Sequence, residues 1–226
     1  MLSNFCQINN FTWVCDGVLS DHDCSLLIEE ATPKLKEAGT LVGNKTERND
    51  ARRAFDTSLL KKNYNSEQEI YSIIKKIEEL TSDLTDLPIE NQESLNIIKY
   101  PEDGQYIEHY DIFLRSEEYY GEYMEMGGQR LFTIMFYLND SFFGGETNFP
   151  KLDDFKINPH KGRSVFFKSM EDGNLIKESK HSGLPVKDGE KWLAVKWIRE
   201  RRYQPKKAGH TNKNPVTFLN ESEEAE

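Results

Sequence analysis

The sequence predicts an antiparallel β barrel or jelly roll with a helical layer on its N-terminal side. From residue 94 onward, short β-prone runs alternate with Gly, Asn, Asp and Pro turns, and no helical periodicity separates them. Before that point Ile70, Ile73, Ile74, Ile77 and Leu80 recur at the spacing of one helix face. The chain has 226 residues, which suits a single domain burying about 70% of its unfolded surface.

Element by element, the first 90 residues read as helical apart from an opening strand over 11–14. Ser20 followed by Asp23 has the spacing of a capping box, with Leu26, Leu27, Ala31 and Leu35 as the apolar face behind it. Pro33 is expected to kink that helix and Gly39 to end it. Residues 43–53 are polar and turn-rich, a mobile surface loop, and whether the segment 43–57 closes on a substrate is not legible. Ser66 and Glu69 form a second capping box for the isoleucine-striped helix, which Pro88 closes and whose stripe should pack on the barrel. Strands are expected over 95–100, 105–113, 130–138, 163–167 and 191–199. One domain over 1–202 follows, with helical support in 1–90 and a jelly-roll core in 94–202. Beyond it runs a polar, acidic tail, 203–226, mobile outside an apolar patch at 216–219.

Composition excludes several classes. Lys and Arg number 29 against 39 Asp and Glu, a net charge of −10 with no basic block, which argues against nucleic-acid backbone binding. No stretch approaches the about 20 apolar residues of a membrane span, and the start lacks a secretory pattern. Cys6, Cys15 and Cys24 make an odd count, read as free, buried thiols in a reducing compartment. A cytoplasmic protein is expected, and oligomeric state is not legible.

The chemistry-bearing pattern is His109-Tyr110-Asp111. Residues i and i+2 of a strand share a face, so an imidazole and a carboxylate stand side by side. A third ligand must come from elsewhere, and His181 sits ahead of another strand. Two imidazoles and one carboxylate make the facial triad of a non-haem Fe(II) oxygenase, with positions open for co-substrate and O₂. Taken alone, His-x-Asp is a weak signal. Lys191, ten residues after His181 across a Gly/Pro/Asp-rich turn, strengthens it. A buried lysine needs an anion, and a dicarboxylic co-substrate would bring one.

With these residues in place the sequence resembles the prolyl 4-hydroxylase branch of the Fe(II)/2-oxoglutarate-dependent dioxygenases, from about residue 11 to 199. The matching pieces are Tyr100, Gly104-Gln105-Tyr106, His109-Tyr110-Asp111, Gly127-Gly128-Gln129-Arg130 and Gly144-Gly145-Glu146-Thr147-Asn148-Phe149-Pro150. Lys161-Gly162-Arg163-Ser164-Val165-Phe166-Phe167, Lys180-His181-Ser182-Gly183, Lys191-Trp192 and Lys196-Trp197 complete the series. The resemblance implies a mainly β fold with flanking helices: a double-stranded β-helix (jelly-roll, cupin-like) core with N-terminal helices packed on one sheet. It implies His109, Asp111 and His181 as iron ligands, and Lys191 as partner of the 2-oxoglutarate C5 carboxylate, helped by Tyr100 and Thr147. Arg130, Tyr106 and Trp197 match positions facing the substrate. Arg52 and Arg53 fall where the family has an Arg-Thr-Ser segment on a substrate-covering loop, although Arg-Arg-Ala stands here.

The implied reaction is hydroxylation of a proline in a peptide or protein with Fe(II), O₂ and 2-oxoglutarate, releasing succinate and CO₂, with ascorbate as a supporting reductant. The same chemistry on another residue or on free proline, or a silent module gripping proline-rich peptides, are the alternatives. Trp192 and Trp197 lie on opposite strand faces, so at most one faces the metal. His22, His160 and His210 are read as surface residues.

Overall fold

The structure, a computed structural model, describes residues 5–42, 45–47, 51–116 and 119–205. Two antiparallel sheets face each other. The larger contains β1 (Cys6–Gln7), β2 (Thr12–Cys15), β3 (Lys36–Glu37), β4 (Phe55–Leu59) and β5 (Leu95–Tyr100), together with β7 (Arg130–Tyr137), β10 (Ser164–Lys168) and β12 (Lys191–Arg199). Their order is β1-β2-β10-β7-β12-β5-β4-β3. The smaller sheet runs β9-β8-β11-β6, from β6 (Tyr106–His109), β8 (Thr147–Phe149), β9 (Phe155–Ile157) and β11 (His181–Gly183). This is the expected jelly roll.

Strand alternation divides the core in two. Trp192, Ala194 and Ile198 of β12, Leu95 and Ile97 of β5, and Ile134 and Phe136 of β7 point to the outer face of the large sheet. There they meet Cys24, Leu27 and Ala31 of α1 (Asp21–Ala31) and Ile70, Ile73, Ile74 and Ile77 of α2 (Glu69–Thr85). The intervening residues Leu193, Val195, Trp197, Ile98, Tyr100, Met135 and Tyr137 point between the sheets. The isoleucine stripe is core packing, as the sequence predicts, and the two tryptophans take opposite faces.

Helix boundaries differ from expectation in instructive ways. Ser20 caps α1 as a full capping box with Asp23. The helix stops at Ala31, well short of Gly39, and Pro33 sits in a 3₁₀ turn (Thr32–Lys34). Proline has no N–H to offer the preceding turn, so the α-helical ladder ends there although Thr32 before it keeps helical angles (φ −48°, ψ −50°). The Ser66 capping box does not form: α2 begins at Glu69, with Gln68 at the N-cap and no side-chain cap. Asn65 organises the entry instead, its Oδ1 accepting from Glu67 N–H at 3.0 Å while Gln68 Oε1 accepts from Asn65 N–H at 2.9 Å. The first 90 residues are also less helical than predicted, since β1 to β4 all join the large sheet. A short α3 (Tyr120–Glu125), unforeseen in the sequence, follows β6.

Of the cysteines only Cys24 is buried; Cys15 is half-buried and Cys6 exposed, and all three are free thiols. Cys6 and Cys15 therefore depart from the buried expectation, because β1 and β2 form an open edge of the sheet. His22 and His160 are on the surface beside Glu69 and Asp140, each at 3.1 Å. His210 and the tail from 206 lie outside the described residues, as does much of the 43–53 loop. Among the described residues no helix is long and apolar enough to cross a membrane.

Candidate active site

The site lies between the sheets. β6 and β11 pair with His181 directly opposite His109, which brings the two imidazoles to a centroid distance of 4.2 Å. β6 ends at His109, earlier than predicted, and Asp111 falls in the bend that follows. Its carboxylate nevertheless turns back beside both rings, with Oδ1 3.7 Å from His109 Nε2 and Oδ2 3.7 Å from His181 Nε2. Ligand atoms of the three buried residues all lie within 4.8 Å of one another.

The hydrogen bonds behind these groups fix what they offer. His109 Nδ1 lies 2.7 Å from the Ile107 carbonyl and His181 Nδ1 lies 2.9 Å from the Ser179 carbonyl. A carbonyl oxygen only accepts, so each Nδ1 carries a proton, and Nε2 is the nitrogen each ring turns toward Asp111. Thr133 Oγ1 donates to Asp111 Oδ2 at 2.8 Å and orients the carboxylate. Burial, reinforced by the neighbouring His181, pulls the His109 imidazole down to about 3, so it is neutral and ready to ligate. Burial works to raise Asp111, but the imidazoles of His181 and His109 and the Arg130 guanidinium outweigh it and keep the carboxyl below its ordinary range. Two imidazoles and a carboxylate converging within 4.8 Å fit a divalent metal such as Fe(II).

Lys191 borders the same cavity from β12, directly opposite Tyr100 on β5. It is 2% exposed. Its Nζ donates to the Gly145 carbonyl at 2.7 Å and lies 5.3 and 5.4 Å from the ring centroids of Tyr100 and Tyr137. No carboxylate among the described residues forms an ion pair with it, and burial pulls the ammonium down to about 7. A buried cation in this condition suits an incoming carboxylate. Gly145 makes the approach possible: its φ is +69°, and a Cβ there would come within 3.1 Å of Lys191 Cδ. Thr147 lines the cavity opposite Gly183, its hydroxyl 2.5 Å from the Tyr137 hydroxyl.

The substrate-facing candidates also reach the cavity. Tyr106 stacks on His109 at 3.9 Å, and its buried hydroxyl has no partner among the described residues. Trp197 lines the cavity beneath Arg130, whose guanidinium lies 4.0 Å from the indole ring centroid. Arg130 is held from behind by Glu93, which accepts from its Nε at 2.7 Å and its Nη2 at 2.9 Å, and from Arg199 Nη1 at 3.0 Å. Thr133, Tyr137 and Glu93 escaped the sequence reading. Thr133 and Tyr137 had a signal: they are polar residues on the inward phase of an otherwise apolar strand. Glu93 had none, being a loop carboxylate whose partners come from distant strands.

A double-stranded β-helix enclosing a buried His-x-Asp…His triad defines a mononuclear non-haem iron oxygenase. Comparison with known proteins agrees. The 2OG-Fe(II) oxygenase superfamily matches residues 95–199. Prolyl 4-hydroxylase 1 of Arabidopsis thaliana is 32% identical over 204 residues, covering 83% of this chain and 68% of its own. A chain of Acanthamoeba polyphaga mimivirus that carries a prolyl 4-hydroxylase name is 32% identical over 196 residues, covering 86% of this chain and 76% of its own. Among solved structures, the viral collagen prolyl hydroxylase of Paramecium bursaria Chlorella virus-1, as its 2-oxoglutarate complex, superposes with a TM-score of 0.63. It is 32% identical, with 84% of this chain and 97% of that one covered. The chain belongs to the prolyl 4-hydroxylase branch of the 2-oxoglutarate/Fe(II) oxygenases, and it is a 2-oxoglutarate-dependent Fe(II) dioxygenase using O₂ as co-substrate.

Proposed function

We propose that this chain hydroxylates a proline of a peptide or protein at C4. In this reading His109, Asp111 and His181 hold Fe(II), and Lys191 anchors the distal carboxylate of 2-oxoglutarate with the hydroxyls of Tyr100 and Thr147 beside it. When bound, the metal and co-substrate supply the oxidising chemistry, in which O₂ is consumed and 2-oxoglutarate becomes succinate and CO₂. The chain itself performs the rest. The Nδ1–H bonds to Ile107 and Ser179 lock both imidazoles with Nε2 inward. Thr133 steadies Asp111. The apolar lining of Ile98, Met135, Leu193 and Val195 keeps bulk water from the reacting centre. Tyr106, Trp197 and Arg130 form the wall on which the proline would rest, with the Tyr106 hydroxyl available to a peptide group.

The observation that carries this reading is the juxtaposition of the triad with a buried lysine that has no counter-ion, since one co-substrate answers both. The test is incubation with Fe(II), 2-oxoglutarate, ascorbate and a proline-rich peptide, following succinate and the mass of the peptide. Succinate should rise with peptide, the peptide should gain one oxygen, and hydrolysis should release 4-hydroxyproline. Peptide binding without turnover would point to a silent module, and succinate formation without peptide oxidation would point to another acceptor.

A further inference from the structure

The segment 51–59 touches both sheets. Residues 51–53 run along the open edge of β6: Ile107 N–H donates to the Ala51 carbonyl at 2.9 Å, Arg53 N–H donates to the Gln105 carbonyl at 3.0 Å, and Arg52 bridges to Tyr106. The chain then enters β4 on the large sheet, with Asp56 opposite Ile98 on β5. At this crossing Arg52 turns inward. It is 4% exposed, borders the cavity of the triad, and lies 5.1 Å from the ring centroid of Tyr106, which itself stacks on His109.

One end of the guanidinium is held, since Nη2 donates to Asp56 Oδ2 at 3.1 Å. The other end offers Nε, buried and with no partner among the described residues. A long, flexible arginine keeps such a pose only when something fixes it, and a carboxylate four residues on is that fixture. An unused N–H beside the cavity is costly to leave buried, so a ligand acceptor is called for. The co-substrate's distal carboxylate is answered by Lys191 and its other end by the metal, which leaves the peptide.

We propose that Asp56 is a positioning residue that holds Arg52 in the cavity as a hydrogen-bond donor to a backbone carbonyl of the peptide substrate. The proposal rests on the peptide hydroxylase reading. Asp56 touches neither substrate nor metal and acts through Arg52. Its sequence position gave no hint of this, because Asp56 lies on a short strand, paired on both sides, that composition alone reads as loop.

The experiment is steady-state succinate formation by the full chain with poly(L-proline) as probe, varying peptide and 2-oxoglutarate separately, alongside equilibrium binding of fluorescent poly(L-proline). Asp56→Ala should raise the peptide KM and Kd about tenfold, the lower end of what a charged hydrogen bond contributes, while KM for 2-oxoglutarate stays within about twofold. Asp56→Glu should recover part of the loss. In an Arg52→Ala background the Asp56→Ala effect should vanish, whereas a merely structural role would add to it. Thermal melts check folding, and isosteric Asp56→Asn supplies a second variant if Asp56→Ala melts early. Unchanged peptide KM in both variants, or an undiminished effect in the Arg52→Ala background, overturns the proposal. Wild-type turnover of 2-oxoglutarate with no peptide ever oxidised would defeat the peptide reading itself and this proposal with it.

Discussion

Lys191 should make 2-oxoglutarate binding pH-dependent in a range where neither carboxylate of the ligand titrates. Its ammonium is buried against two aromatic rings and one carbonyl, and burial brings it down to about 7. A carboxylate delivered beside it restores the charged form, so binding above that pH takes up a proton. The sign follows: affinity is greatest below about pH 7 and falls as pH rises. Between pH 6 and pH 8 the neutral fraction climbs from about one-tenth to about nine-tenths, which weakens affinity about tenfold, or about 1.4 kcal/mol. Calorimetry of the Mn(II)-loaded protein in two buffers of different ionisation enthalpy measures the uptake directly, expected at about 0.9 proton at pH 8 and about 0.1 at pH 6. Lys191→Met should bind 2-oxoglutarate weakly at both pH values with no such uptake. Lys196, drawn down by burial to about 8, gives no competing signal because it faces α2 on the other side of the sheet, near Glu78. Equal uptake in wild type and Lys191→Met would refute the reasoning.

Two further outcomes are expected. Thr133→Val, which removes the hydroxyl that donates to Asp111 Oδ2, should weaken metal binding about 10–100-fold, as loss of an outer-shell partner usually does; competition with a chelator reads this, and unchanged affinity would show that the carboxylate is held by other means. Glu93→Gln leaves the buried Arg130 and Arg199 facing a neutral amide and should destabilise the fold by about 3–5 kcal/mol in urea unfolding. A loss below about 1 kcal/mol, the scale of an exposed ion pair, would show that water already screens the cluster.

Legibility in the sequence followed contact range. β5 and β12 begin and end where the pattern places them, because both are long, apolar and bounded by turns. The triad was readable because two members share an i, i+2 spacing. β4 was missed: Phe55–Leu59 is five residues with a polar phase, and its strand identity comes from pairing with β5. Arg52 was legible as an arginine in a covering segment, but its burial depends on the edge of β6 and on Asp56. Glu93 lies 37 residues before Arg130, a separation that no local pattern encodes.

The buried charged groups on the two faces of the large sheet sort into two sets, and the division delineates the ligands. Arg130 and Arg199 are answered by Glu93, Arg52 is answered on one side by Asp56, and Lys196 is answered by the Glu93 carbonyl at 2.8 Å and by Glu78. These groups complete their own electrostatics and belong to the scaffold. What is left over beside the cavity is the Lys191 ammonium, the inward Nε2 atoms of His109 and His181, the Arg52 Nε and the Tyr106 hydroxyl. Each leftover is energetically unfavourable in a closed protein and becomes favourable only when a partner arrives. An anion beside Lys191, a cation between the imidazoles, and acceptors for Arg52 and Tyr106 are the required partners. A metal-chelating dicarboxylate and a peptide backbone would supply all of them, which accords with the ligands of the family.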